Sequence, residues 1–319
     1  MASGEFSLIE KFFDRPSGRN DVVLGIGDDC AIVTPQGHDQ LALSIDTLVS
    51  GVHFLDDTDP RGLGHKALAV NLSDLAASGA KPAWCSLALT LPAIDEAWLS
   101  EFSAGFFALA SQHGISLIGG DTTQGPLSIT VQVIGTIPEG KALLRSGAKA
   151  NDLIYVSGMI GDAGLGLLGR QGSSSIEDPT LYAALEMPNP RVALGQALQG
   201  IASACIDISD GLAADLGHIL EQSRVGAKIE WEQLPLSRPV REYVAQTEDL
   251  AFPLKTGDDY ELCFTVPPHH QNEVERMLLQ LDLKGACIGR IESNPGLRVR
   301  SSKGLIDVGK SGYEHFTSA

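Results

Sequence analysis

His65-Lys-Ala-Leu-Ala-Val-Asn-Leu-Ser-Asp-Leu-Ala-Ala-Ser78 decides how the first half of this chain folds. Ala67, Leu68, Leu72, Leu75 and Ala76 recur at helical spacing, so the segment reads as a helix. It stands between two apolar runs, Leu41–Ile45 and Ser86–Leu91, that read as strands. A strand, a helix and a strand in succession predict a mixed α/β layer arrangement. Within that helix Asp74 is out of place, a charge on a stretch otherwise committed to a core.

Outward from this segment the alternation continues. Val22–Ile26 and Ser128–Ile134 read as further strands, and Glu96–His113 reads as a second helix closed by Gly114. After Ile137 comes a stretch of turn formers, Pro138 to Asn151, which predicts a boundary between residues 1–138 and 139–319. The second part opens with a strand at Leu153–Val156 and a glycine-rich stretch, Ser157–Gly169. Strands at Ala204–Ile208, Lys228–Trp231, Glu261–Val266 and Ala286–Ile291 alternate with helices around Arg191–Gln199, Leu212–Gln222 and Asn272–Leu281. Residues 171–180 read as an exposed loop. At 319 residues, two domains are the expected organisation.

Composition narrows the classes of function. Hydrophobic residues at 43% and charged residues at 20% are those of a globular protein. The formal charge of −17, without a Lys/Arg run, speaks against nucleic acid as a partner. Five scattered cysteines with no CxxC pair argue against a disulfide framework and a zinc ribbon. The first fifteen residues lack the basic start and apolar core of a signal peptide, and no window approaches a membrane span. A cytoplasmic enzyme away from any membrane is the expectation.

The positions of the acids carry the functional argument. Aspartate is a poor strand residue, yet here it recurs at the ends of apolar runs. Gly25-Ile-Gly-Asp-Asp29 follows one, Asp46 closes another, and Asp121 follows Ile118-Gly-Gly120. Asp207 and Asp210 stand in Cys205-Ile-Asp-Ile-Ser-Asp-Gly211, and Asp258 and Asp259 precede Tyr260-Glu-Leu-Cys-Phe264. Any one of these alone reads as a turn or a helix cap. Their repetition beside Gly, Ser and Thr points instead to convergence. Two carboxylates ~4 Å apart repel by roughly 4 kcal/mol at an effective dielectric near 20. Hard divalent cations remove that penalty, and magnesium shares its sphere with substrate phosphates. The glycines at 25, 27, 119, 120, 158, 161 and 164 admit close approach of backbone amides to phosphate. No P-loop occurs. Gly164-Leu-Gly-Leu-Leu-Gly169 matches GxGxxG but falls within a helix, where it signals close packing.

Taken in order, Gly25-Ile-Gly-Asp-Asp-Cys-Ala31, Ser44-Ile-Asp-Thr-Leu-Val49, Gly51-Val-His-Phe54, Lys66-Ala-Leu-Ala-Val-Asn-Leu-Ser-Asp-Leu-Ala-Ala77, Gly119-Gly-Asp-Thr-Thr123, Ile206-Asp-Ile-Ser-Asp-Gly-Leu212 and Asp258-Asp-Tyr-Glu-Leu262 resemble the thiamine-monophosphate kinase family. The likeness runs from Gly4 to Gly312-Tyr-Glu-His-Phe316. Single motifs are shared with the wider aminoimidazole ribonucleotide synthetase superfamily.

The resemblance implies ATP-dependent phosphorylation of thiamine monophosphate by direct transfer of the γ-phosphoryl group, with several Mg2+ ions. It implies an N-terminal domain that binds ATP and magnesium and pairs into a β-barrel across a homodimer interface. A C-terminal α/β sandwich would complete the active site. By position, Asp29, Asp46, Asp74, Asp121 and Asp207 match magnesium ligands, with Ser44 and Asp210 in support. Ile45 stands where relatives often carry Thr, so it offers a metal only its backbone carbonyl. Gly120, Asp121, Arg145 and Ser209 match ATP contacts, and Asp121, Asp207 and Arg145 are the catalytic candidates. His53, Asp258 and Tyr313 match positions lining the thiamine phosphate site, with Asp258 one methylene shorter than the usual Glu. Two other readings stay open: a superfamily enzyme that activates an amide or selenide with ATP, and a non-catalytic nucleotide- or metal-binding regulator.

Overall fold

The computed structural model describes residues 5–26, 30–35, 37–174 and 177–309. The chain divides into two compact units, residues 1–75 with 80–140 and residues 76–79 with 141–319.

In the first unit a short helix α1 (Glu5–Leu8) and a small antiparallel pair, β1 (Val22–Leu24) and β2 (Ile32–Val33), precede the main sheet. That sheet comprises β3 (Gln40–Val49), β4 (Lys81–Leu91), β5 (Ser116–Gln124) and β6 (Ser128–Ile137), in the order β3-β6-β4-β5. The β4–β5 pair is parallel and the others are antiparallel. Two helices, α2 (Pro60–Ala77) and α3 (Glu96–His113), accompany it.

Helix α2 is buried on nearly every side, its polar Lys66, Asn71 and Ser73 included. It lies against α3 so closely that a Cβ at Gly64 would sit 2.0 Å from the Phe102 carbonyl oxygen, and one at Gly105 1.9 Å from that of Arg61. Its far end reaches the sheet, with Leu75 Cδ2 3.2 Å from the place of a Cβ on Gly135. Asp95 caps α3 by accepting from the amides of Ala97 and Trp98, and Gly114 closes it in the left-handed conformation at φ 63°.

Strand period separates the two faces of this sheet. Ala42, Ser44, Asp46 and Leu48 alternate on β3 with Leu41, Leu43, Ile45 and Thr47, and β6 buries Ile129, Val131, Val133 and Ile137. The second β3 set is exposed: Leu41 at 44%, Leu43 at 59% and Ile45 at 60%. An apolar row of that size on an edge strand is a liability unless something covers it.

The second unit holds β7 (Leu153–Val156), α4 (Asp162–Arg170), α5 (Pro179–Glu186), α6 (Val192–Ala197), β8 (Ala204–Asp207) and α7 (Leu212–Ser223). It continues through β9 (Gly226–Glu230), α8 (Arg238–Thr247), α9 (Phe252–Lys255), β10 (Leu262–Val266), α10 (Gln271–Gln280), β11 (Ala286–Glu292), β12 (Gly296–Ser301) and β13 (Gly304–Ile306). Among the described residues its seven strands run in the order β13-β12-β9-β11-β7-β10-β8, antiparallel throughout except for β12 beside β9.

One face packs Ile154, Val156, Ile206, Ile229 and Ile288 against Leu216 and Ile219 of α7, Val240 of α8 and Leu254 of α9. On the other face Tyr155 and Phe264 stack at 5.5 Å. Burial, then the nearby Cys287 and Glu275 of α10, push the Tyr155 hydroxyl up. The GxGxxG match lies inside α4, as its position predicts. A Cβ at Gly164 would strike Thr256 Cβ at 2.4 Å, and one at Gly166 the Leu181 carbonyl oxygen at 2.4 Å. Its glycines serve packing.

The structure changes several expectations. Asp46 and Asp121 lie inside β3 and β5, because pairing with β6 and β4 carries both strands past them. The stretch 171–180 ends in α5, started by the Asp178 cap and Pro179. Helix α8 and strands β12 and β13 were not expected from the sequence.

Candidate active site

In the first unit β3 and α2 bring two acids together. Ser44 Oγ donates to Asp74 Oδ2 at 2.5 Å, and Asn71, one helical turn before Asp74, accepts from the Asp46 amide at 3.1 Å. Asn71 is fully buried and donates in turn to the Ala67 carbonyl at 3.1 Å. Burial, then the charge and hydrogen bond of Asp74, push the Asp46 carboxyl up to about 6. Two acids that raise one another's pKa in a partly buried site are suited to a cation that relieves their repulsion.

Asp121 is not part of this pair. Its Cα partner is Ala88 on β4, whose own partner is Thr130 on β6, and Thr130 pairs with Thr47 on β3. The Thr47 and Thr130 hydroxyls meet at 2.8 Å on the face opposite Ser44 and Asp46. Asp121 therefore projects from the Thr47 face, three strand spacings or ~14 Å from β3. A bulge at Ile118, where the β4–β5 register slips, sets that face. Gly120 packs so tightly on β4 that a Cβ would lie 1.9 Å from the Leu87 carbonyl oxygen. His53 accepts the Val49 amide on Nδ1 at 3.1 Å, which fixes its ring on the turn after β3. Ile45 turns its side chain to the exposed face. Asp29 and Tyr313 lie outside the described residues.

In the second unit the loop after β8 and the loop before β10 lie across each other. The Asp258 amide donates to the Ser209 carbonyl at 2.9 Å, and the Tyr260 amide to that of Ile208 at 2.8 Å. A Cβ at Gly257 would sit 2.2 Å from the Ser209 carbonyl oxygen. Asp258 and Tyr260 both take left-handed backbone, φ 66° and 49°, and the Tyr260 hydroxyl donates to Asp258 Oδ1 at 3.0 Å. Asp207 is buried at the end of β8, and Asp210 is half-buried in the loop. Arg145 presents an exposed side chain and gives its carbonyl to the Ser223 hydroxyl.

Two groups that the sequence reading passed over organise these loops. Asp215 Oδ2 accepts the amides of Ser209, Asp210 and Gly211 at 3.1, 3.0 and 3.1 Å. Those three amides are thereby committed within the protein. The only sequence signal for Asp215 is an acid in the first turn after Asp-Gly. Glu261 accepts from Ser157 Oγ at 2.5 Å and from Arg191 through Nε at 2.6 Å and through Nη2. Asp259 takes the Gly161 amide on both oxygens at 3.0 and 3.1 Å. Desolvation, then Glu261, Asp162 and Asp258, hold its carboxyl well above the usual range despite that amide.

The donor set fits magnesium and not zinc: the grouped donors are carboxylate and hydroxyl oxygens. Among the described residues no three Asp, Glu, His or Cys side chains gather tightly enough to hold an ion unaided. An ion on Asp46 and Asp74 would complete its sphere with water and phosphate oxygens, the usual habit of magnesium. Burial pushes the Cys85, Cys205 and Cys263 thiols up, the reverse of an activated nucleophile.

A sheet-and-helix unit with paired acids, followed by a seven-stranded α/β unit, matches a described pair of domains. Residues 27–137 match the AIR synthase related protein N-terminal domain and residues 149–302 its C-terminal domain, and the chain belongs to that family. It is 48% identical over 324 residues to the thiamine-monophosphate kinase of Salmonella typhimurium, covering 100% of both chains. The crystal structure of thiamine-monophosphate kinase from Stenotrophomonas maltophilia shares 46% identity at a TM-score of 0.84, over 88% of this chain and 92% of that one. A structure of AaThiL complexed with AMPPCP and TMP shares 30% identity at a TM-score of 0.77, over 89% of each chain. Within its family, the chain falls among the thiamine-monophosphate kinases.

Proposed function

We propose that this chain phosphorylates thiamine monophosphate to thiamine diphosphate with ATP, in thiamine diphosphate biosynthesis. The observation that carries the reading is the Asp46–Asp74 pair with its Ser44 and Asn71 supports, in a chain alike along its whole length to kinases of that name. The acceptor is a phosphate monoester, ionised near neutral pH, so its oxygen attacks the γ-phosphorus without a general base. What opposes the reaction is repulsion between two polyanions, and catalysis reduces to positioning and neutralisation.

Asp46, Asp74 and Ser44 are assigned to magnesium, and so are Asp29 and the Ile45 backbone carbonyl. Asp207 and Asp210 are further ligands. When bound, magnesium supplies positive charge to the phosphate oxygens and orients them. Asp121 lies on the other sheet face, so it is assigned to a different ion from the Asp46–Asp74 pair, in keeping with several ions. Gly120, Asp121, Arg145 and Ser209 are the ATP contacts. Arg145 is free to swing its exposed guanidinium onto phosphate. His53, Asp258 and Tyr313 are assigned to thiamine monophosphate, and the Tyr260 hydroxyl holds the shorter Asp258 carboxylate in one orientation.

Residues 1–138 are assigned ATP and magnesium binding and dimerisation, and residues 139–319 the remaining contacts. The exposed Leu41, Leu43 and Ile45 support a homodimer closed through β3 into a barrel. No helix among the described residues is long and apolar enough to cross a membrane, which accords with a cytoplasmic enzyme. The decisive experiment is thiamine diphosphate formation from thiamine monophosphate and ATP, with and without magnesium. Magnesium-dependent product is expected. ATP binding without product would favour the regulator, and turnover only with formylglycinamidine ribonucleotide would favour another superfamily enzyme.

A further inference from the structure

The second unit carries a cavity of about 730 Å³ on the sheet face opposite its main helical core, a volume in the range of small-molecule sites. It opens at the Leu153 end of β7, four residues before Ser157, so ~13 Å of strand separates it from the Glu261 cluster. Its walls bear four carboxamides, Asn151, Gln233, Gln271 and Asn294, with Leu153 and Cys287 among the lining groups.

Two cations, Lys228 and Arg290, and two acids, Glu230 and Glu292, line this cavity, and the cations belong to a row that continues past it on the sheet. Arg298, Lys228 and Arg290 are successive Cα partners across β12, β9 and β11. Side chains at such positions share one face, and like charges placed directly opposite destabilise a sheet. A chain of net charge −17 has acids enough to relieve the whole row. It relieves only part of it. Arg298 binds Glu292 at 2.8 Å and also donates to the Asn294 and Pro295 carbonyls, and Lys228 pairs with Glu230 at 2.5 Å. Arg290, exposed and lining the cavity, has no ion-pair partner among the described residues.

We propose that this cavity binds a small organic phosphate of nucleoside-monophosphate size, its anionic group on Arg290 and its polar remainder on the carboxamides. A planar guanidinium takes a phosphate through two parallel hydrogen bonds. Asn and Gln side chains offer paired donors and acceptors that suit the edge of a heteroaromatic base. Asn151 stands at the rim in left-handed backbone, φ 77°, and its amide donates to the Ile291 carbonyl at 2.9 Å, which fixes its place.

Half-buried Cys287 supplies a reporter inside the cavity. The test is iodoacetamide labelling of Cys287, read by peptide mass, with AMP as probe and magnesium omitted. AMP at several times its Kd is expected to slow labelling about fivefold or more. Arg290→Gln is expected to lose that protection while thiamine diphosphate formation is unchanged. Should Cys287 resist labelling altogether, equilibrium dialysis of labelled AMP against chain saturated with a nonhydrolysable ATP analogue replaces it, with binding expected in wild type and lost in Arg290→Gln. No protection or binding, or the same effect in the variant, would overturn the proposal. So would equal protection by inorganic phosphate, which would mark a bare anion site, or by adenosine, which would leave Arg290 without a role.

Discussion

Gly158 stands against the most fully engaged ion pair of the second unit, and replacing it with alanine isolates that pair's contribution. A Cβ there would lie 2.2, 2.5 and 2.8 Å from Glu261 Oε1, Cδ and Oε2. Glu261 cannot easily yield, since Arg191 and Ser157 hold both carboxylate oxygens and the side chains are 7% and 18% exposed for Glu261 and Arg191. Gly158→Ala therefore displaces the carboxylate and leaves a buried guanidinium unpaired, at a cost of about 3–5 kcal/mol. Reduced freedom of the unfolded chain returns roughly 0.4–1 kcal/mol. A net loss of about 3 kcal/mol lowers Tm by ~6–12 °C for a unit of this size. Urea unfolding followed by Trp231 fluorescence measures it in the second unit. The same substitution in a Glu261→Ala background has nothing to strike, so it should cost almost nothing there. A loss in wild type below about 1 kcal/mol, or an equal loss in both backgrounds, would refute the argument.

Asp215→Leu orphans three amides at about 1–3 kcal/mol each, whereas Asp215→Asn keeps an acceptor oxygen and should lose less than half as much; equal losses in urea melts would deny Asp215 its organising role. Asp259 has a folded pKa above 3.8, so the folded state holds a proton that the unfolded chain releases. Its contribution is complete below about pH 4 and declines as pH rises toward the raised value. Asp259→Asn removes that decline while keeping an acceptor for Gly161, so its Tm relative to wild type should climb between about pH 5 and pH 8, and a constant difference would contradict this. Leu43→Asp places a charge on the exposed β3 row and should shift sedimentation from dimer to monomer; an unchanged sedimentation coefficient would remove that face from the interface.

Much of the fold was legible because its signals are local. Helix α3 spans the Glu96–His113 that the sequence predicts, closed by Gly114, and β7 spans the four residues of its apolar run. Helix α8 had a signal too, in Ser237 before Arg238-Pro239, but its apolar residues are sparse, so no helix was read there. Strand β12 carries Arg298 and Arg300 and exposes much of its length, so no apolar run announces it. In the site, Asp46 at a strand and Asp74 on a core helix were each visible as acids out of place, though not as neighbours. The partners of Glu261 were not, since Arg191 and Ser157 stand 70 and 104 residues from it in the chain.

The sequence by itself determined where the acids are, how many there are, and which elements carry them, since period and capping depend on neighbours within a few residues. Only the tertiary structure decided which of those acids meet. A strand's two faces are set by pairing register, and a single bulge at Ile118 turns Asp121 to the face opposite Asp46. Whether two carboxylates can share an ion therefore depends on a register that no local pattern of residues encodes.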